Sequence, residues 1–180
     1  MFTIDQLVAD CRQVLGTASV DREIKEIVER AVSNAAEVER ALGTPRKAEI
    51  ITLHRAADLT VLNVIWAPGM SIYPHDHRMW AVIGLYGGRE DNTFFRRTPA
   101  GIERASAKQL ETSDTALLGE KTIHAVTNPL TRFTGAIHIY GGDFFAVPRS
   151  EFDADTLEER PYDVEKTKRL FLEANQNLPS

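Results

Sequence analysis

Five histidines, His54, His75, His77, His124 and His138, are the side chains of this sequence best suited to hold a metal ion or to pass a proton. His75 and His77 are separated by one residue, and positions i and i+2 of a strand share a face. The pair can therefore offer two imidazoles to one cation, and the same alternation would continue that face through Met79 and Ala81. His124 opens a second short pattern, His124-Ala-Val-Thr-Asn128, with H-x3-N spacing. His138 and Tyr140 are again two apart, with Arg132, Thr134 and Ala136 on their face and Ile137 and Ile139 on the other. One face of that segment is a chain of donors, and the other asks for apolar packing. His54 has no such partner and reads as a structural residue.

The elements that must position these residues follow from a change of hydrophobic period. The first 43 residues read as a helical arm of two helices. Thr3 and Gln6 have capping-box spacing ahead of Leu7, Val8, Cys11, Val14 and Leu15, and Gly16 follows as a stop. A second helix is expected from Asp21 to Leu42, with Ile24, Ile27, Val28, Ala31, Val32, Ala35 and Val38 in its stripe, ended by Gly43 and Pro45. Beyond Pro45 come short β-rich segments at 48–55, 59–67, 78–86, 91–97, 102–110, 114–118, 121–126 and 132–140. Turn signals such as Ala67-Pro-Gly69, Gly87-Gly88 and Asn128-Pro129 separate them. Many short strands at near-regular spacing predict a sandwich or barrel rather than alternating strands and helices. A last helix is expected from Asp163 to about Asn175. The boundary near 44 is a change of period within one domain, which spans 1–180 as a helical arm (1–43), a β-barrel core (44–148) and a C-terminal extension (149–180).

Composition narrows the function classes. With 180 residues, 43% hydrophobic and 26% charged, the chain can bury a full core and resembles neither a disordered nor a fibrous sequence. A net charge of −5 argues against general nucleic-acid binding, which calls for a basic face. The single cysteine, Cys11, excludes an internal disulfide framework and any CxxC motif, and suits a cytoplasmic location. No apolar run approaches the roughly 18–20 residues of a membrane span. The N-terminus has no basic segment followed by a clean apolar one, so a signal peptide is not expected.

The patterns at 69–88 and 124–128, taken in order, read G-x5-H-x-H through to Gly88 and then H-x3-N. They resemble the two half-motifs of the cupin superfamily, which implies a mainly β, double-stranded β-helix or jelly roll. The cupin glutamate expected after three or four intervening residues is absent, because those positions hold Ala81 and Val82. The implied metal site is therefore His75, His77 and His124. A three-histidine cupin with Trp66-Ala-Pro-Gly69 before the motif and Ala136-Ile-His138-Ile-Tyr140 after it is similar to the cysteine dioxygenase family of thiol dioxygenases, over about 61–145. That resemblance implies ferrous iron on the three histidines, a small thiol and O2 as reactants, and a sulfinate product. It gives His138 and Tyr140 catalytic roles beside the metal, with the tyrosine hydroxyl aimed at the bound ligands. Two family features are missing: the serine two residues before the histidine is Ala136, and no cysteine follows the HxH strand.

Thiol substrates of this family carry a carboxylate, for which an arginine fork is the natural partner. Arg55, in Leu53-His54-Arg55 on an early strand, is the first candidate and Arg132 the second. Arg78 should point away by alternation. Trp66, Met79 and Trp80 are candidate walls, and Glu90, past the Gly87-Gly88 turn, is expected to support the site rather than bind metal. Three imidazoles also suit Zn, Ni, Cu or Mn. Cysteine, 3-mercaptopropionate and other thiols all fit, as do a diketone-type dioxygenase, an isomerase-like cupin and a non-catalytic binding cupin. Monomer and small homo-oligomer are both compatible with the pattern, and the helical arm could cap the barrel or cover a neighbour.

Overall fold

The computed structural model describes residues 1–178; positions 179 and 180 of the expected C-terminal extension lie outside that range. Three helices come first: α1 (Ile4–Val14), α2 (Val20–Val32) and α3 (Ala35–Leu42). The strands are β1 (Glu49–Arg55), β2 (Thr60–Trp66), β3 (Ser71–Asp76), β4 (Ala81–Gly87), β5 (Arg89–Thr98), β6 (Gly101–Glu111), β7 (Thr115–Leu118), β8 (Ile123–Thr127), β9 (Thr134–Tyr140), β10 (Ser150–Phe152) and β11 (Glu159–Pro161). Helix α4 (Val164–Gln176) follows. The strands form a five-stranded sheet, β1-β2-β9-β4-β7, and a six-stranded sheet, β11-β10-β3-β8-β5-β6. The fold is the mainly β double-stranded β-helix that the two half-motifs imply.

In the five-stranded sheet the central strands β2, β4 and β9 are buried on both faces. Leu62, Val64, Ile83, Leu85 and Ala136 point into the barrel. Val61, Val82, Ile137 and Ile139 point outward and meet Leu7, Cys11, Ile24, Ile27, Val28 and Val32 of the helices. The arm thus covers the outer face of its own sheet. Gly84 lets α2 approach: a Cβ there would stand 2.3 Å from Val28 Cγ1. Each large aliphatic side chain buried in this layer contributes about 1.5–3 kcal/mol. Thr3 caps α1 by accepting from the Gln6 amide at 3.2 Å, and Asp163 caps α4 by accepting from the Lys166 amide at 3.0 Å.

Several boundaries depart from the sequence reading. The second helix is two, because Ser33 and Asn34 interrupt it. The Ser33 hydroxyl donates to the Arg30 carbonyl at 2.8 Å, and Asn34 takes the N-cap position of α3. The apolar stripe runs through this break, so periodicity alone does not reveal it. Strand β3 lies upstream of the segment expected at 78–86, and β4 starts only at Ala81. Pro74 lacks the N–H of a regular ladder residue, and the register shift between Ile72 and His75 absorbs it. The short pair β10–β11 went unpredicted. No helix among the described residues is long and apolar enough to cross a membrane.

Candidate metal centre

His75 on β3 stands directly opposite His124 on β8 in the antiparallel register. His77 lies just past the end of β3, where Arg78 turns the chain with a positive φ of 57°. That turn corrects the expectation that Met79 and Ala81 extend the histidine face: Met79 packs into the core and Ala81 begins the next strand. Arg78 does point away, donating to Asp76 Oδ2 at 2.7 Å and to Ser150 at 3.1 Å.

The three imidazoles converge. Nε2 of His77 is 3.2 Å from Nε2 of His75 and 3.4 Å from Nε2 of His124. Two imidazole nitrogens bound to one cation at about 2.1 Å and at roughly 90–110° to each other would be about 3.0–3.4 Å apart. The opposite ring nitrogens fix the tautomers. His75 Nδ1–H donates to the Tyr73 carbonyl at 3.0 Å, and His124 Nδ1–H donates to Asn92 Oδ1 at 2.8 Å. Both rings therefore turn an Nε2 lone pair toward the common centre. Burial pushes His75 down to about 4. Burial, followed by the neighbouring histidines, holds His77 and His124 well below the ordinary imidazole range. His77, whose Nδ1 has no partner, is free to turn its own Nε2 lone pair to the same point, and three such imidazole nitrogens are a donor set that a divalent cation satisfies.

Around them the barrel supplies a small chamber of about 30 Å³, walled by Leu62, Val64, Trp66, Val126, His138, Tyr140, Phe144 and Phe171. That is room for about two waters. His138 and Tyr140 share the inner face of β9 as expected, with His138 Nδ1 3.1 Å from the Tyr140 hydroxyl. Tyr140 packs edge-on against His77, ring centres 5.1 Å apart, and burial raises its phenol far above the usual range. Strand β5 contributes by alternation: Asn92 orients His124, Phe94 stacks on it, and Glu90 reaches Trp66. Gly88 allows β5 to start there. Its φ is +84°, and a Cβ would fall 2.3 Å from Thr134 Oγ1. Asn128 closes the second motif structurally, its amide donating to the carbonyls of Ala67 and Arg132, both at 2.9 Å.

A wider groove of about 450 Å³ shares Ile50, Phe144, Tyr162, Thr167 and Phe171 with the chamber and adds Arg149. Arg149 is 8% exposed. Its guanidinium carbon sits 4.0 Å from the ring centres of both Phe144 and Tyr162. It donates to the Phe144 carbonyl, and its Nε has no partner. Its charge is felt at His75, His77 and Tyr140, in each case after burial.

The structure does not bring the two arginines singled out from sequence to the histidines. Arg55 lies outside the chamber and groove, its fork held by both oxygens of Asp143 at 2.9 and 3.0 Å, with Phe145 beneath it. Arg132 precedes β9 rather than sharing its face, and lines a separate depression with Glu39 and Pro68. Of the candidate walls, Trp66 lines the chamber, while Trp80 packs among the helices. His54 is half-buried on β1, away from the other four. Arg149 went unnoticed in the sequence because it follows β9 in a loop without a motif; only its position nine residues past Tyr140, among aromatic residues, hints at it.

No protein-family model matches the chain. Among solved structures, BH2720 of Bacillus halodurans aligns with a TM-score of 0.50 and 19% identity, over 62% of this chain and 79% of that one. An RmlC-like cupin family protein with a double-stranded β-helix fold from Methanocaldococcus jannaschii aligns at 0.48 and 7% identity, over 57% and 86%. A cupin superfamily protein from Desulfitobacterium hafniense aligns at 0.45 and 15%, over 57% and 85%. At these identities the likeness concerns fold alone, and function has to be argued from the site.

Proposed function

We propose that the protein is a mononuclear non-haem iron(II) dioxygenase that converts a small thiol carboxylate to its sulfinate. The observation that carries this reading is Arg149, a buried cation with no carboxylate partner among the described ion pairs, set in the groove beside the three histidines. A buried charge is costly unless compensated, and a ligand carboxylate in this groove would compensate it. His75, His77 and His124 would hold the metal, which when bound supplies the activation of O2 and the oxidation of sulfur. The overall change, R–SH + O2 to R–SO2H, balances without an external reductant.

The chain's own groups would do the rest. Phe144 and Tyr162 clamp the guanidinium so that its free edge meets a carboxylate as a fork. That anchors one end of the substrate and points the other toward the chamber. The chamber's aliphatic and aromatic walls keep bulk water out. Tyr140, bonded to His138 at the chamber wall, offers a hydroxyl whose proton can pass between the ring and whatever sits over the histidines. A reducing compartment such as the cytoplasm suits a thiol substrate. The test is metal analysis of anaerobically purified protein, followed by oxygen-electrode assays with a panel of thiols. Stoichiometric iron, and oxygen uptake confined to thiol acids, is the expected result. Oxygen uptake with diketones but no thiol would replace the proposed reaction.

A further inference from the structure

Glu90 is fully buried at the start of β5, and the proposed chemistry has not yet used it. The backbone of the residue before it is pinned: the Thr134 hydroxyl accepts from the Arg89 amide and donates to the Arg89 carbonyl, each at 3.0 Å. Its carboxyl is pinned too, because Oε1 accepts the Trp66 indole N–H at 2.7 Å. Oε2 nonetheless has no hydrogen-bond partner. His138 Nε2, also without a hydrogen-bond partner, lies 3.5 Å from Oε1, the oxygen that takes the Trp66 N–H. A carboxyl oxygen and a ring nitrogen are complementary groups. Buried polar atoms without a partner are rare, and here one ring nitrogen and one carboxyl group with an unused oxygen are neighbours. A small shift of the ring would bring Nε2–H within hydrogen-bond distance of Oε1, which has a lone pair left beside the one that Trp66 uses. On its own strand the His138 ring meets only the Tyr140 hydroxyl, at Nδ1, since Ala136 carries no hydroxyl.

We infer that Glu90 is the positioning residue of the site, holding the His138 ring with its proton on Nε2 so that Nδ1 faces Tyr140 as an acceptor. A carboxyl group reaching across from β5 does what a side chain on β9 cannot do here. It acts through His138 and Tyr140, and touches neither substrate nor metal. The inference rests on the proposal that His138 and Tyr140 serve the chemistry, but its test does not.

The test is long-range ¹H–¹⁵N NMR of the ¹⁵N-histidine-labelled full chain, with zinc as a diamagnetic occupant and His138→Gln to assign the ring. The wild-type ring should be protonated on Nε2. Glu90→Gln, whose amide oxygen still accepts, should keep that tautomer, and Glu90→Leu should lose it. A wild-type ring protonated on Nδ1 alone, or an unchanged pattern in Glu90→Leu, overturns the inference. If Glu90→Leu does not fold, the wild-type spectrum decides by the same criterion. In active enzyme, Glu90→Leu should lower kcat about tenfold with KM little changed, and Glu90→Gln should recover most of it. A null result in every oxygen assay would remove the dioxygenase proposal and leave the NMR result standing.

Discussion

On the outer face of β2, β4 and β9, Val61, Val82, Ile137 and Ile139 meet the helices in a mainly apolar layer, where the Tyr86 hydroxyl donates to Asn63 Oδ1 at 2.8 Å and Asn63 Nδ2 is left without a partner among the described residues. At the barrel end, the inner face of β9 meets four histidines, a carboxyl and a guanidinium. Seven buried side-chain polar atoms lack a partner among the described residues, and five of them belong to His77, Glu90, Asn92, His138 and Arg149. Each such atom costs about 1–3 kcal/mol if left unmade. Such atoms concentrate at the inner end, with Asn63 Nδ2 the one in the outer layer, and the inner end also holds the three facing Nε2 atoms and the Arg149 guanidinium, which a cation and an anionic ligand would satisfy. On the proposed function, one face serves stability and the other serves binding.

Removing a histidine breaks this contrast most sharply. His124→Ala should lose stoichiometric metal and all activity while keeping the native circular dichroism spectrum. Full metal occupancy in that variant would sink the three-histidine assignment. Next comes the anion partner. Arg149→Gln should raise KM for thiol acids by roughly 30- to 1,000-fold, the cost of losing a buried charged hydrogen-bonding group, with little change for thiols that lack the carboxylate. Parallel losses on both substrates would place Arg149 in packing instead. Tyr140→Phe keeps the ring but deletes the hydroxyl, and should lower kcat about 10²-fold with metal content unchanged. Steady-state kinetics beside metal analysis would separate the two effects.

Smaller effects sharpen the comparison from the stability side. His75 falls to about 4 when folded, so the unfolded chain binds more protons than the native one between about pH 6.5 and 4. Stability of the metal-free protein should therefore drop as pH falls through that window, by up to about 3 kcal/mol from this ring. Urea titrations at several pH values read it, and bound metal should blunt it. On the outer face, Gly84→Ala forces a Cβ against Val28 and should cost about 1–3 kcal/mol in thermal unfolding, with metal content and KM untouched. A changed KM would show that the two faces are coupled.

What was legible in the sequence follows from range. The HxH pair, His124 and the His138–Tyr140 face are short-range patterns, and the fold places them as the spacing implies. The reading failed where one residue redirects the chain: Pro74 hid β3, Arg78 ended the histidine face, and Ser33-Asn34 split a helix. It also failed where partners come from distant segments. Arg55 lies on an early strand as expected, yet Asp143, 88 positions away, occupies its fork. Arg149 gains its meaning from Phe144 and Tyr162, of which the sequence carries only a hint, and Glu90 from His138, of which spacing carries no trace.

The most direct test of the account is the fate of oxygen atoms during turnover of a thiol acid such as 3-mercaptopropionate under ¹⁸O₂. Iron-loaded wild-type protein should yield a sulfinate carrying label in both oxygens, with one O2 consumed per thiol. A disulfide product, or label in neither oxygen, would contradict it.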